Sequence, residues 1–247
     1  MEDKSFWDHL DDLRACLIRV LVVFAVLLAG CFIALPYIFD PVILGPSKGD
    51  FFSYRALGFV YGATRDVDII NINVASQFMT HMTTSLWTAL LLVFPYLMYQ
   101  VWVFVRPALY KNEIRGVKTA FLSGTGLFYL GCAVGYLIVF PVTFRFLTQY
   151  SISEDIVNHI SLNSYMGILV TMVFIMGVVF ELPSLSWMLG KLGIINKSML
   201  KEWRRYAVAI LLVLAAVITP TGDPFTLLVV FIPLYLLYEL SILVVKK

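Results

Sequence analysis

The sequence predicts an all-α polytopic membrane protein with six transmembrane helices, on three observations. The chain is 60% apolar and 14% charged over 247 residues, against about 45–50% apolar and about 25% charged in soluble domains. Its apolar residues gather in runs of the length that a bilayer crossing needs, about 20 residues per helix. The charges fall between those runs, and the basic ones fall mostly at one set of ends. Residues 1–247 read as a single integral membrane domain without internal repeats or low-complexity tracts.

The first helix is expected over residues 15–35, stopping near Pro36, because proline supplies no N–H to the ladder. The second is expected over 76–105, with a polar start and a kink at Pro95. The third covers 119–140 and carries Gly124, Gly131 and Gly135. The last two form a small-xxx-small face that lets another helix come close, and packing within the chain is expected there rather than a dimer contact. The fourth covers 163–189. The fifth, 206–219, and the sixth, 225–245, form a hairpin around Pro-Thr-Gly-Asp-Pro at 220–224. Residues 40–77 are expected to form an irregular cap with a short amphipathic piece near 54–61.

Helices five and six are expected to be short. Helix five has about 14 residues, or 21 Å at 1.5 Å per residue, and helix six is apolar for a similar length before Glu239. A hydrocarbon core of about 30 Å is thicker than either. The hairpin, with Asp223, should therefore lie below the outer surface or thin the bilayer.

Of the 18 basic residues, 14 fall on one face: Lys4, Arg14 and Arg19, then Arg106, Lys111, Arg115 and Lys118, then Lys191, Lys197, Lys201, Arg204 and Arg205, then Lys246 and Lys247. Lys48, Arg55, Arg65 and Arg145 remain opposite. The positive-inside rule puts both termini in the cytoplasm. Five acids within residues 1–14, and an apolar run longer than an h-region, argue against a cleavable signal. Cys16, Cys31 and Cys132 lie in or beside apolar spans, and three such thiols suggest neither a disulfide framework nor a metal cluster.

Glu181 is the only charge within residues 162–189. A carboxylate near mid-membrane costs about 2.5–3.5 kcal/mol on insertion scales. Pro183 follows two residues later and frees the Val179 carbonyl from the helix ladder. An acid at a kink suggests a polar site inside the membrane, with the acid mostly protonated because hydrocarbon disfavours its charged form. The bland alternative is a neutral acid held for packing.

On the basic face the acids stand out. Glu113 is the only carboxylate in 106–115. It suits a local salt bridge to Lys111 or Arg115, or an incoming guanidinium, which it can bind in bidentate fashion. Asp12, just before the first apolar run, suits either a helix N-terminal acid or the same ligand. No phosphate-binding G-x-x-x-x-G-K-[ST] occurs. His9, His81 and His159 lack metal-ligand spacing, and no serine pairs with a membrane-depth histidine. An enzyme is not expected, nor a metal, a cofactor or a nucleic-acid partner.

The motifs Phe6-x-x-His9-Leu10-x-Asp12-Leu13-Arg14, Gln100-Val-Trp102-x-Phe104-x-x-Pro107-Ala-Leu-Tyr110-Lys-x-Glu113, Phe180-Glu181-Leu-Pro183, Arg204-x-Tyr206 and Thr219-Pro220 follow in order along the chain. Together they resemble the TatC family, the multispanning receptor subunit of the twin-arginine protein translocase. The resemblance covers nearly the whole chain. It implies a protein of the cytoplasmic (inner) membrane that exports folded cargo bearing twin-arginine signal peptides, driven by the proton gradient. It implies a signal-peptide site at Glu113, helped by Asp12, Phe104, Arg14 and Trp102. It also implies a polar partner site at Glu181, Pro183, Thr219, Pro220 and Asp223, in a concave face. The implied partners are single-span subunits of the TatA/TatB type, lipid, and further copies of the chain in the receptor complex. Two positions depart from the family: Asp12 where glutamate is usual, and Leu227 where many bacterial members carry glutamine.

Two other function classes compete. A proton-coupled small-solute secondary transporter would use Glu181 as its proton site, with three-plus-three inverted repeats. The first helix, however, carries no acid to match Glu181. A purely structural scaffold would bind neither peptide nor solute.

Overall fold

The computed structural model describes residues 6–56, 66–110, 114–153, 158–219 and 222–245. Their helices are α1 (Phe6–Ile38), α2 (Phe52–Ala56), α3 (Ser76–Val105), α4 (Ile114–Val134), α5 (Phe140–Gln149), α6 (Leu162–Val179), α7 (Leu182–Lys191), α8 (Lys197–Glu202), α9 (Arg204–Ile218) and α10 (Pro224–Val244). Two short strands, β1 (Ile69–Ile70) and β2 (Ile160–Ser161), pair in parallel. Among the described residues five helical stretches are long and apolar enough to cross a membrane: Leu10–Ala56, Ser76–Val105, Ile114–Gln149, Leu162–Lys191 and Pro224–Val244.

Several expected boundaries move. α1 starts at Phe6 rather than 15, because the polar segment ahead of the apolar run holds neither glycine nor proline to stop a helix. It also runs past Pro36 to Ile38. The third helix is longer at both ends, with a π turn at Gly135–Val139 joining α4 to α5. The fourth is broken at Phe180–Glu181 into α6 and α7. Helix six is not short: α10 has 21 residues. Its apolar length does not end at Glu239, because Arg204 of α9 pairs with that carboxylate at 2.8 Å and the Tyr235 hydroxyl donates to it at 2.9 Å. Helix five does stay short. α9 has 15 residues, or about 22 Å of helix. The amphipathic piece expected near 54–61 overlaps α2 at 54–56, and residues 57–65 lie outside the described ones.

Prolines decide the links between helices. Proline removes the N–H that would serve the carbonyl four residues back, and in hydrocarbon that carbonyl must find a partner from another helix. Pro36 frees Phe32, and His81 Nε2 of α3 donates to the Phe32 carbonyl at 2.8 Å. Their rings stack at 4.0 Å. Pro95 frees Leu91, and the Tyr129 hydroxyl of α4 donates to that carbonyl at 3.0 Å. α1 is thereby fastened to α3, and α3 to α4.

This makes a prediction. His81→Ala should cost about 1–3 kcal/mol by leaving the Phe32 carbonyl unserved. Pro36→Ala restores the missing N–H and should recover most of that loss in the double variant. Thermal unfolding of the purified protein in detergent measures both. An unrecovered loss would assign the stability to the stacked rings instead.

α4 and α6 meet through small residues. A Cβ on Gly131 would lie 2.5 Å from the Met176 carbonyl oxygen, and one on Gly135 would lie 3.0 Å from that of Met172. Gly177 of α6 answers with room for the Cys132 sulfur, 2.6 Å from where its own Cβ would be. The glycine face therefore serves packing inside the chain, as expected. Phe140, Phe144 and Tyr165 close the core beside it. The segment after α1 is tied to that core, since Tyr165 donates to the Ile43 carbonyl at 2.6 Å. Buried Arg145 lies over the Tyr54 ring at 4.4 Å.

Candidate functional site

α1 and α3 run antiparallel. Phe32 meets His81 at one end, and the residues around Cys16 meet those around Gln100 at the other. At that second end the helices enclose a cavity of about 230 Å³ whose walls include Asp12, Cys16, Arg19, Gln100, Phe104 and Pro107. Asp12 and Phe104, separated by most of two helices in sequence, are thus brought together. Gln100 is buried, and its amide donates to the Tyr96 hydroxyl at 2.8 Å.

The other expected residues of this site are placed differently. Arg14 is exposed on α1 and is not among the cavity walls. Trp102 faces away from the cavity, buried with Leu109 and Val117 and tilted against Phe121 at 5.8 Å between centroids. Its work is to hold the chain after α3 against the first turns of α4. Glu113 lies outside the described residues, between exposed Tyr110 and the start of α4 at Ile114.

Glu181 stands at the break between α6 and α7. The Phe180 N–H still reaches Met176, but the Glu181 N–H turns to Val178, three residues back. Pro183 follows within the first turn of α7, where its missing N–H costs nothing. The side chain is 7% exposed. It lies over Gly124 of α4, where a Cβ would come within 2.6 Å of its Oε2. Neither carboxyl oxygen has a hydrogen-bond partner among the described residues. Ser184, beside it, donates to the Ala120 carbonyl at 2.8 Å. The acid is therefore enclosed by the chain's own helices, with α4 as its lid.

Thr219 and Asp223 belong to the α9–α10 hairpin instead. Buried Thr219 ends α9, and Asp223 caps α10 by accepting the Thr226 N–H at 2.7 Å. Pro220 lies outside the described residues.

Arg19, Gln100 and Gly124 lie outside the site residues that the sequence suggests. Arg19 is a lone cation inside the first apolar run, and that is a signal for it. Gln100 opens the motif that runs to Glu113. That Gly124 makes room for Glu181 has no signal in one sequence, since it depends on which helices touch.

The family model for the Sec-independent protein translocase protein (TatC) matches residues 8–233. Relatives described as Sec-independent protein translocase protein TatC include one from Deinococcus radiodurans, 35% identical over 243 residues, covering 98% of this chain and 86% of the relative. Another, from Blattabacterium sp. subsp. Periplaneta americana, is 33% identical over 251 residues, covering 97% of this chain and 94% of the relative. A crystal structure of the twin-arginine translocase receptor TatC, determined in DDM, is similar with a TM-score of 0.80 and 28% identity. That likeness covers 97% of this chain and 100% of the other.

Proposed function

Because the chain belongs to the TatC family of Sec-independent protein translocases, we propose that it is the receptor subunit that binds twin-arginine signal peptides of folded cargo. The match gives the alternative, a proton-coupled solute transporter, no support. One observation carries the proposal: Asp12 and Phe104 share a cavity at the end of the α1–α3 pair, next to the loop that holds Glu113. A carboxylate can bind a guanidinium in bidentate fashion. A photocrosslinker at Val103, on the cavity wall, should capture an arginine-paired peptide and not its Gln-Gln counterpart.

The chain acts as one domain over 1–247 in the inner membrane, with six spans and both termini cytoplasmic. Energy comes from the proton gradient. The basic residues of the 106–118 and 190–205 segments support that orientation. Single-cysteine labelling checks it: a site at Asn112 should react with an impermeant reagent only from the cytoplasmic side.

Single-span TatA/TatB-type subunits dock along the face that carries two separate polar places, the α6–α7 break with Glu181 and Pro183 and the α9–α10 hairpin with Thr219, Pro220 and Asp223. Short α9 thins the bilayer beside it, and several copies of the chain form the receptor complex. Glu181 acts as a protonated donor there, reached when α4 shifts. Glu181→Gln keeps a donor and should retain part of both folded-reporter export and partner crosslinking. Glu181→Ala should lose more of both, with peptide binding unchanged. Equal loss of export in both variants, with partner crosslinks intact, would overturn the donor role.

A further inference from the structure

The corner between α8 and α9 holds an apolar cavity of about 210 Å³, remote from Asp12 and Glu181. Its walls include Leu182 of α7, Leu200 of α8, Trp203 between α8 and α9, Ala207 and Ile210 of α9, and Tyr238 of α10. The Tyr238 hydroxyl donates to the Leu200 carbonyl at 2.6 Å, which ties α8 to α10 and fixes the corner. Here the sequence sets Lys197, Lys201, Arg204 and Arg205 against one acid, Glu202. Arg204 is taken up by Glu239 of α10 at 2.8 Å. Lys197, Lys201 and Arg205 form no ion pair among the described residues. We propose that this corner binds one anionic phospholipid, its tail in the cavity and its phosphate at Arg205.

Charge, size and depth favour that occupant. The Arg205 guanidinium lies over the Tyr206 ring at 5.0 Å, and that ring meets Trp203 of the cavity wall edge-on at 6.3 Å. A cation is thereby held beside an apolar seat, and a guanidinium can donate twice to phosphate oxygens. A helix is about 10–12 Å across with its side chains and does not enter a cavity of about 210 Å³, whereas a hydrocarbon tail does. From the cavity the apolar track runs on along α9, where Ile210, Val213 and Val217 are all exposed. Their spacing of three and four residues puts them on one stripe. Tryptophan and tyrosine favour the headgroup level of a bilayer, so Trp203 and Tyr206 mark the depth at which a phosphate lies. A zwitterionic lipid brings the same tail but no net charge. Each cation near the surface favours an anionic lipid by about fivefold. Either leaflet supplies such a lipid, so the site stands whichever face the corner has.

Trp203 is the probe. Full-length protein is placed in mixed vesicles of phosphatidylglycerol and phosphatidylcholine, with brominated tails on one lipid or the other to quench a tryptophan in contact. The chain has five tryptophans, so the Trp203 signal is the parent's minus that of Trp203→Phe. It should show a preference of at least about fivefold for phosphatidylglycerol. Arg205→Gln, at an exposed position, should lower that preference by about fivefold. Val217→Trp in the Trp203→Phe chain, read the same way, is the reference near the other end of α9, where the residue is exposed, and it should show no preference. Excess glycerol 3-phosphate at constant ionic strength should leave the Trp203 preference in place. Equal quenching by the two lipids at Trp203 would overturn the site, as would an unchanged preference in Arg205→Gln. An equal preference at Val217→Trp would overturn it too, because the selectivity would then belong to the whole lipid shell. Loss of the preference to glycerol 3-phosphate would make the ligand a soluble phosphate and overturn the lipid.

Discussion

Gly131→Ala should destabilise the protein at or above the upper end of the about 1–3 kcal/mol usual for overpacking, while Gly126→Ala on the same helix should be neutral or slightly stabilising. The Gly131 Cβ would strike main chain, the Met176 carbonyl oxygen at 2.5 Å, and the Phe180 side chain at 2.7 Å. Backbone cannot swing aside as a flexible side chain can, so α4 and α6 must separate. At Gly126 nothing lies within 4 Å of the added methyl, and alanine has the better helix propensity by about 1 kcal/mol. The separation would also loosen α4 over Glu181, whose carboxyl rests on Gly124 two turns earlier. Thermal unfolding of both variants in one detergent gives the comparison. Equal melting temperatures would mean that the α4–α6 crossing is looser than its geometry.

Glu113→Ala should weaken binding of a twin-arginine peptide by about 10- to 150-fold, the equivalent of a charge-assisted hydrogen bond worth about 1.5–3 kcal/mol. Asp12→Ala should weaken it less. Asp12 shares its cavity with the cation Arg19, which offsets part of its attraction for an arginine, and its side chain is a methylene shorter than glutamate. The two losses should fall short of additive if both acids hold the same arginine pair, since groups sharing a ligand couple. Peptide titration by fluorescence anisotropy measures the two single variants and the double variant.

The spans were legible because hydrocarbon imposes a composition that soluble cores do not. The apolar run over residues 76–105 has the bounds of its helix, and Pro183 lies within two residues of the break. Other ends were missed for local reasons. Residues 6–14 are polar, so apolar content could not show that α1 continues through them. Pro36 stops a helix only if the freed Phe32 carbonyl stays unserved, and the His81 that serves it lies 49 residues away in sequence. Glu239 reads as the end of an apolar span, because one sequence does not show that Arg204 sits across from it. The same holds at the sites. Asp12 and Glu181 stand out as residue types in unusual places and Phe104 follows only from the family resemblance, whereas Gly124 acquires its meaning only from the crossing of α4 and α6.

The proposed function stands on this chain reading an arginine pair on a signal peptide. The most direct measurement is the affinity of the purified chain for one signal peptide carrying Arg-Arg and for the same peptide carrying Gln-Gln, with Glu113→Ala as a parallel sample. The parent should bind Arg-Arg tightly, lose for Gln-Gln at least as much as Glu113→Ala costs, and lose little more for Gln-Gln in the variant. Equal affinity of the parent for both peptides would contradict it.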